Sequence, residues 1–166
     1  AYQRPGTEIV IHGVRDDASE AAARIAGRAV NFSYLHRFHD TQIIENALKT
    51  KGNSDDFIGH IGGDDFVVIT VPDRMRILGE EIIARFDRRV PDFYDETDRK
   101  NGYIMGKSRQ GVEMKFPLIT ISIAIVTNER RAISSPLEAS EIAVELKDYA
   151  KTIPKSVFVI DKRRNA

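Results

Sequence analysis

At 166 residues the chain has the length of one domain, 1–166, with enough residues for a sizeable core. Its 25 Lys and Arg balance 25 Asp and Glu, so no net field draws in nucleic acid or an anionic membrane. It has no cysteine, which excludes disulfides, thiolate nucleophiles and Cys-ligated zinc. No apolar run reaches the length of a membrane span and no signal peptide opens the chain, so a cytoplasmic globular domain is expected.

Ala1 to Gly6 is an irregular lead, and Thr7 to Val14 is short and β-branched, which predicts a strand. Asp17-Ala-Ser-Glu20 has capping-box spacing and starts a helix that reaches Arg37, with Ile25, Ala29, Phe32 and Leu35 at helical intervals. Asp40 can cap a second helix that buries Ile43, Ile44, Ala47 and Leu48. After the loop Lys51 to Asp55, Phe57 to Ile61 and Phe66 to Val71 read as two strands. Between them Gly62-Gly63-Asp64-Asp65 has the composition of a hairpin turn needing positive φ.

Pro72-Asp73 opens the next helix, with Met75, Leu78, Ile82 and Phe86 on one stripe, and Pro91 ends it. Asp92 to Gly102 is charged and reads as a surface loop. Tyr103 to Met105 and Val112 to Lys115 predict an extra hairpin. Leu118 to Thr127 is nearly all apolar, as a strand buried on both faces would be. Ser135-Pro-Leu-Glu138 is a capping box with proline at the first helical position. Its helix buries Ala139, Ile142, Ala143, Leu146 and Ala150 and stops before Pro154, and Val157 to Asp161 is a last strand. Stripped of additions the order is βαββαβ, a ferredoxin-like α+β fold with a central antiparallel sheet flanked by helices.

The turn has an ordinary explanation, a hairpin with solvated aspartates. It also has a chemical one. Bare backbone at Gly62 and Gly63 lets a nucleotide approach, and a carboxylate beside it can hold Mg²⁺ against phosphate oxygens. Gly62-Gly63-Asp64-Asp65-Phe66, between these strands, resembles the signature of the GGDEF family. Phe116 to Ile125 is similar to that family's later core strand, and Ala139 to Lys147 to its final helix. The resemblance covers roughly residues 55 to 161 and is poor over the first 50. It implies a nucleotidyl cyclase palm and a place in cyclic di-GMP signalling, either making that dinucleotide from two GTP or binding such nucleotides in degenerate form. It also implies Mg²⁺ as cofactor, a homodimer with one GTP in each half, and an upstream sensory or receiver domain in a longer signalling protein.

Carried over residue by residue, the resemblance places Asp64 at the metal position and Asp65 where glutamate is usual; these are the candidate catalytic residues. Lys147 and Lys151, one helical turn apart, match the basic residues that reach the phosphates. Lysine at the second place keeps charge but lacks a guanidinium's bidentate geometry. The same pair is also explained as a solvated basic edge near a helix C-terminus. Asp40 matches an aspartate used against the guanine edge. Asp56 matches the aspartate of the family's inhibitory Arg-x-x-Asp site, but Asn53 stands in place of its arginine.

The main departure lies on the first strand, where the family carries Asp-x-Asp and this chain has none in residues 1 to 50. Aligned on the strand ending at Val14, His12 and Val14 occupy those places; aligned on Asn31-Phe32, Arg28 and Val30 do. His36 and His39 lack a third ligand nearby in sequence, so zinc is not expected. The first reading is therefore a cyclase-impaired GGDEF-like module that binds nucleotide or contacts protein. Two others stand beside it: an active diguanylate cyclase with ligands supplied elsewhere, and a ligand-free ferredoxin-like interaction domain.

Overall fold

The computed structural model describes residues 7–12, 32–62, 65–107 and 111–164, with 7–12 and 32–40 given as backbone. Strand β1 (Thr7–His12) is the middle of a five-stranded sheet in the order β2-β3-β1-β6-β7. Strands β2 (Phe57–Gly62) and β3 (Asp65–Thr70) form the central hairpin, and β6 (Ser122–Thr127) lies on the other side of β1. β1 runs antiparallel to both neighbours, and β7 (Val157–Ile160) extends the sheet parallel to β6. The strands β2-β3-β1-β6 make the ferredoxin-like sheet. A separate two-stranded sheet holds β4 (Tyr103–Lys107) and β5 (Glu113–Pro117), the expected extra hairpin.

Helix α1 (Phe32–Lys51) and helix α2 (Met75–Arg89) pack against each other and against one face of the sheet. Ile43, Ile44 and Ala47 of α1 and Leu78, Ile82 and Phe86 of α2 meet Phe66, Val68, Ile123 and Ile125 in one buried cluster. Helix α4 (Pro136–Lys151) covers the other face, where Ala139, Ile142 and Ala143 meet Ala124 and Val126. Alternate residues of β6 thus point into opposite cores, and all six of its residues are buried. This is why the segment is almost wholly apolar. Each large side chain so buried contributes about 1.5–3 kcal/mol.

Four expectations need correction. Helix α1 runs unbroken through Asp40, so Asp40 is not a helix cap. No proline or glycine between Phe32 and Lys51 interrupts it. Residues 92–102 are not simply a loop: helix α3 (Glu96–Asn101) begins where Asp95 accepts the amide of Asp98 at 2.9 Å, and it ends on Gly102 at φ 72°. The apolar run at 118 becomes strand only at Ser122. Before that, the amides of Ile119 and Ile121 donate to the hydroxyls of Tyr94 and Ser156 instead of to a strand. Finally, the helix at Pro72 opens as a 3₁₀ turn over Pro72–Arg74.

The capping box at Ser135 is formed in modified shape. Ser135 Oγ accepts the Glu138 amide at 3.2 Å, with proline next in the chain. The Glu138 carboxylate, however, takes the hydroxyl of Ser134 at 2.6 Å and its amide at 2.7 Å. Those bonds hold its carboxyl below the usual carboxylate range. The helix expected from Asp17 to Arg37 lies outside the described residues before Phe32, and its last residues are part of α1; Val14, Arg28 and Val30 also lie outside.

Candidate functional site

The central hairpin pairs Phe57 with Ile69 and continues to His60 opposite Phe66, then Gly62 opposite Asp65. Ile61 is thereby an extra residue on β2, a bulge just before the turn. The His60 and Phe66 rings stack across the strands at 4.8 Å. Phe66 is buried while Ile61 is 66% exposed, so the hairpin leaves the core as it approaches its tip. Gly63 and Asp64 lie outside the described residues, and Gly62 is described as backbone.

Two other elements reach this end of the hairpin. His12, the last residue of β1, is in register with Asp65 on one side and with Ser122 of β6 on the other. Val14 of the one alignment, and Arg28 and Val30 of the other, lie outside the described residues. Helix α4 comes from the opposite face, and Lys147 Nζ lies 3.9 Å from Asp65 Oδ2. The Lys147 side chain is 17% exposed and that of Asp65 30%, so the pair is partly withdrawn from water. Lys151 follows one turn later at the end of the helix, half-buried.

The two remaining sequence candidates differ from this group. Asp40 is described as backbone within α1. Asp56 is used locally: its Oδ2 accepts the Asn53 amide at 2.9 Å. A Cβ placed on Gly52 would lie 2.4 Å from that oxygen and 2.6 Å from the Leu48 carbonyl, so the carboxylate folds over the end of α1. Near that end, a cleft of about 340 Å³ between α1 and α2 is lined by Asn46, Arg85, Arg88, Arg89 and Asp92. Arg85 is paired with Glu81 and Arg89 with Asp92. Sequence reasoning passed over this cleft; the Arg-x-x-Arg-Arg run at 85–89 was its signal.

Asp64, the metal position by resemblance, lies outside the described residues. Mg²⁺ favours several oxygen ligands. Here the strand position beside Asp65 carries an imidazole residue, and an ammonium already faces the Asp65 carboxylate. No group of three His, Asp or Glu able to hold a metal occurs among the described residues. Nor is any helix among them long and apolar enough to cross a membrane.

No family model and no curated protein matches the chain. Solved structures do. An active GGEEF domain of a diguanylate cyclase from Vibrio cholerae matches with TM-score 0.63 at 13% identity, over 96% of this chain and 85% of that one. The GGDEF domain of YfiN from Pseudomonas aeruginosa matches with TM-score 0.59 at 18% identity, over 97% and 84%. The GGDEF domain of DgcB from Caulobacter crescentus, in complex with c-di-GMP, matches with TM-score 0.54 at 14% identity, over 94% and 78%. The chain thus has the fold of a nucleotidyl cyclase palm. Its particular form is the GGDEF-domain fold, with the Gly62-to-Phe66 signature at the hairpin.

Proposed function

We propose that this chain is a GGDEF-family signalling domain that binds a guanine nucleotide at the Gly62–Asp65 turn and turns it over little or not at all. The observation that carries the reading is the placement of Lys147 Nζ 3.9 Å from Asp65 Oδ2, at the root of the signature hairpin. A cation there can meet phosphate oxygens, and Lys151 adds a second one turn along. Glycine at 62 and 63 places no side chain between the backbone and a ligand. The catalytic half is weaker. Cyclisation brings a polyanionic triphosphate against an attacking alkoxide, and the fold supplies positive charge there through metals held by convergent carboxylates. Asp64 and Asp65 are acidic, but His12 stands at the neighbouring strand position.

GTP or cyclic di-GMP is the ligand on this reading, and the c-di-GMP complex of the Caulobacter neighbour supports that class. Mg²⁺ reaches the site as the nucleotide's counter-ion. The domain works in the cytoplasm, as a homodimer, under an upstream sensory or receiver domain. Thermal denaturation with GTP tests the proposal. A ligand at a hundred times its dissociation constant adds about 2.7 kcal/mol of stability. The Lys147→Ala, Lys151→Ala double variant should lose most of that gain. An unchanged melting curve across millimolar GTP and cyclic di-GMP would instead favour the ligand-free interaction domain.

A further inference from the structure

We propose that copies of this chain associate head to tail through the two edges of the sheet, β2 of one copy pairing antiparallel with β7 of the next. The strand order ends in β2 on one side and in β7 on the other, and no further strand pairs with either among the described residues. An edge of this kind presents a row of amide and carbonyl groups to a new strand. Natural edges are commonly guarded by lysine or proline. Here β2 reads FIGHIG and β7 reads VFVI, with no lysine, arginine or proline in either. Phe57 is 54% exposed, and all four residues of β7 are half-buried. The bulge at Ile61 ends the usable edge of β2, leaving Phe57 to His60. With 25 basic and 25 acidic residues, no net charge holds copies apart.

Direction and charge select a second copy as the occupant. β2 runs antiparallel to β3, β3 to β1 and β1 to β6, while β7 is parallel to β6. β2 and β7 therefore run in opposite directions, and the start of β2 lies at the same end of the sheet as the end of β7. A second copy set beside the first in the same orientation meets it as an antiparallel pair. At that shared end the charges are complementary. Asp55 and Asp56 precede β2, and Lys162 and Arg164, both exposed, follow β7. The pleat narrows the register. Ile58 packs toward α1 and α2, as do Phe158 and Ile160. Residues opposite each other share a face, so Ile58 stands opposite one of those two. Opposite Ile160, it sets Asp56 against Lys162. The contact uses a different surface on each copy and leaves one edge open at either end, so it does not close at a dimer.

The experiment is sedimentation velocity of the full chain without nucleotide, from micromolar to millimolar, at low and high salt. One strand edge is a small contact, so association should appear only at the upper concentrations. There the weight-average mass should rise beyond that of a dimer and fall back with salt. Lys162→Glu and Asp55→Lys should each weaken association about tenfold, because attraction at the shared end becomes repulsion. An equimolar mixture of the two should restore it, since each supplies the charge the other lacks. Phe57→Lys, which guards the edge, should stay monomeric. A mass that stops at a dimer, a monomer at every concentration, or association unchanged in all three variants overturns the inference. The parent's mass against concentration and salt decides the matter even where a variant folds poorly.

Discussion

The hydroxyl of Tyr94 accepts the amide N–H of Ile119 at 3.1 Å, joining the segment before α3 to the segment that leads into β6. Burial pushes the Tyr94 phenol up to about 12, helped by the Asp98 charge and opposed by the Ile119 bond. The native state therefore prefers the protonated phenol. An unfolded tyrosine ionises near 10. Stability from this group is full below about pH 10 and is lost as pH rises toward about 12, by roughly 2–3 kcal/mol. Tyr94→Phe should abolish that loss, while costing about 1–2 kcal/mol at pH 7 because the Ile119 amide loses its acceptor. Urea melts of both proteins from pH 8 to 11.5 check it; parallel declines would refute the assignment.

Asp161 anchors the end of β7 as a buried charge, 2% exposed, with Arg163 Nε at 2.8 Å and Arg131 Nε at 3.6 Å. Removing one partner of such a group strands the others. Asp161→Ala should therefore destabilise by about 3 kcal/mol. Arg163→Ala should cost less than that, because the Arg163 backbone amide and Arg131 still face the carboxylate. Chemical denaturation measures both, and equal losses would contradict the ranking.

Gly79 is where α2 crosses β7. A Cβ there would lie 3.2 Å from Phe158 Cδ1 and 3.3 Å from its Cγ. For Gly79→Ala, about 1 kcal/mol of helix propensity opposes this crowding, and stability should change little. Gly79→Val adds two more carbons in a filled space and should cost about 1–3 kcal/mol. Thermal melts distinguish the two; a stabilised valine variant would mean the helix and Phe158 move apart freely.

Turnover is the catalytic prediction. Incubated at high concentration with GTP and Mg²⁺ or Mn²⁺, the domain should yield little or no cyclic di-GMP by chromatography. The reason is charge: the ammonium of Lys147 beside Asp65 can attract phosphate but cannot activate a 3′-hydroxyl. Sustained product that disappears in Asp64→Ala would restore the active-cyclase reading.

Much of the architecture was legible because it depends on neighbours a few residues apart. The pairing of the two strands that flank the signature, the stripe from Leu78 to Phe86, and the Ser135 cap each follow from local spacing, and the structure has each of them. So does the burial of 122–127 on both faces. The misses near Asp40 and at 95–102 were also local, since capping residues mark helix ends only by tendency. The site was different. Spacing put Lys147 and Lys151 on one helical turn, but nothing in it placed that turn beside Asp65. Likewise, only pairing with β3 and β6 set His12 against Asp65 and Ser122. Those meetings are made by strand order and by α4 packing over Ala124 and Val126. They close long loops through burial on both faces of the sheet, and no local pattern of residues carries that information.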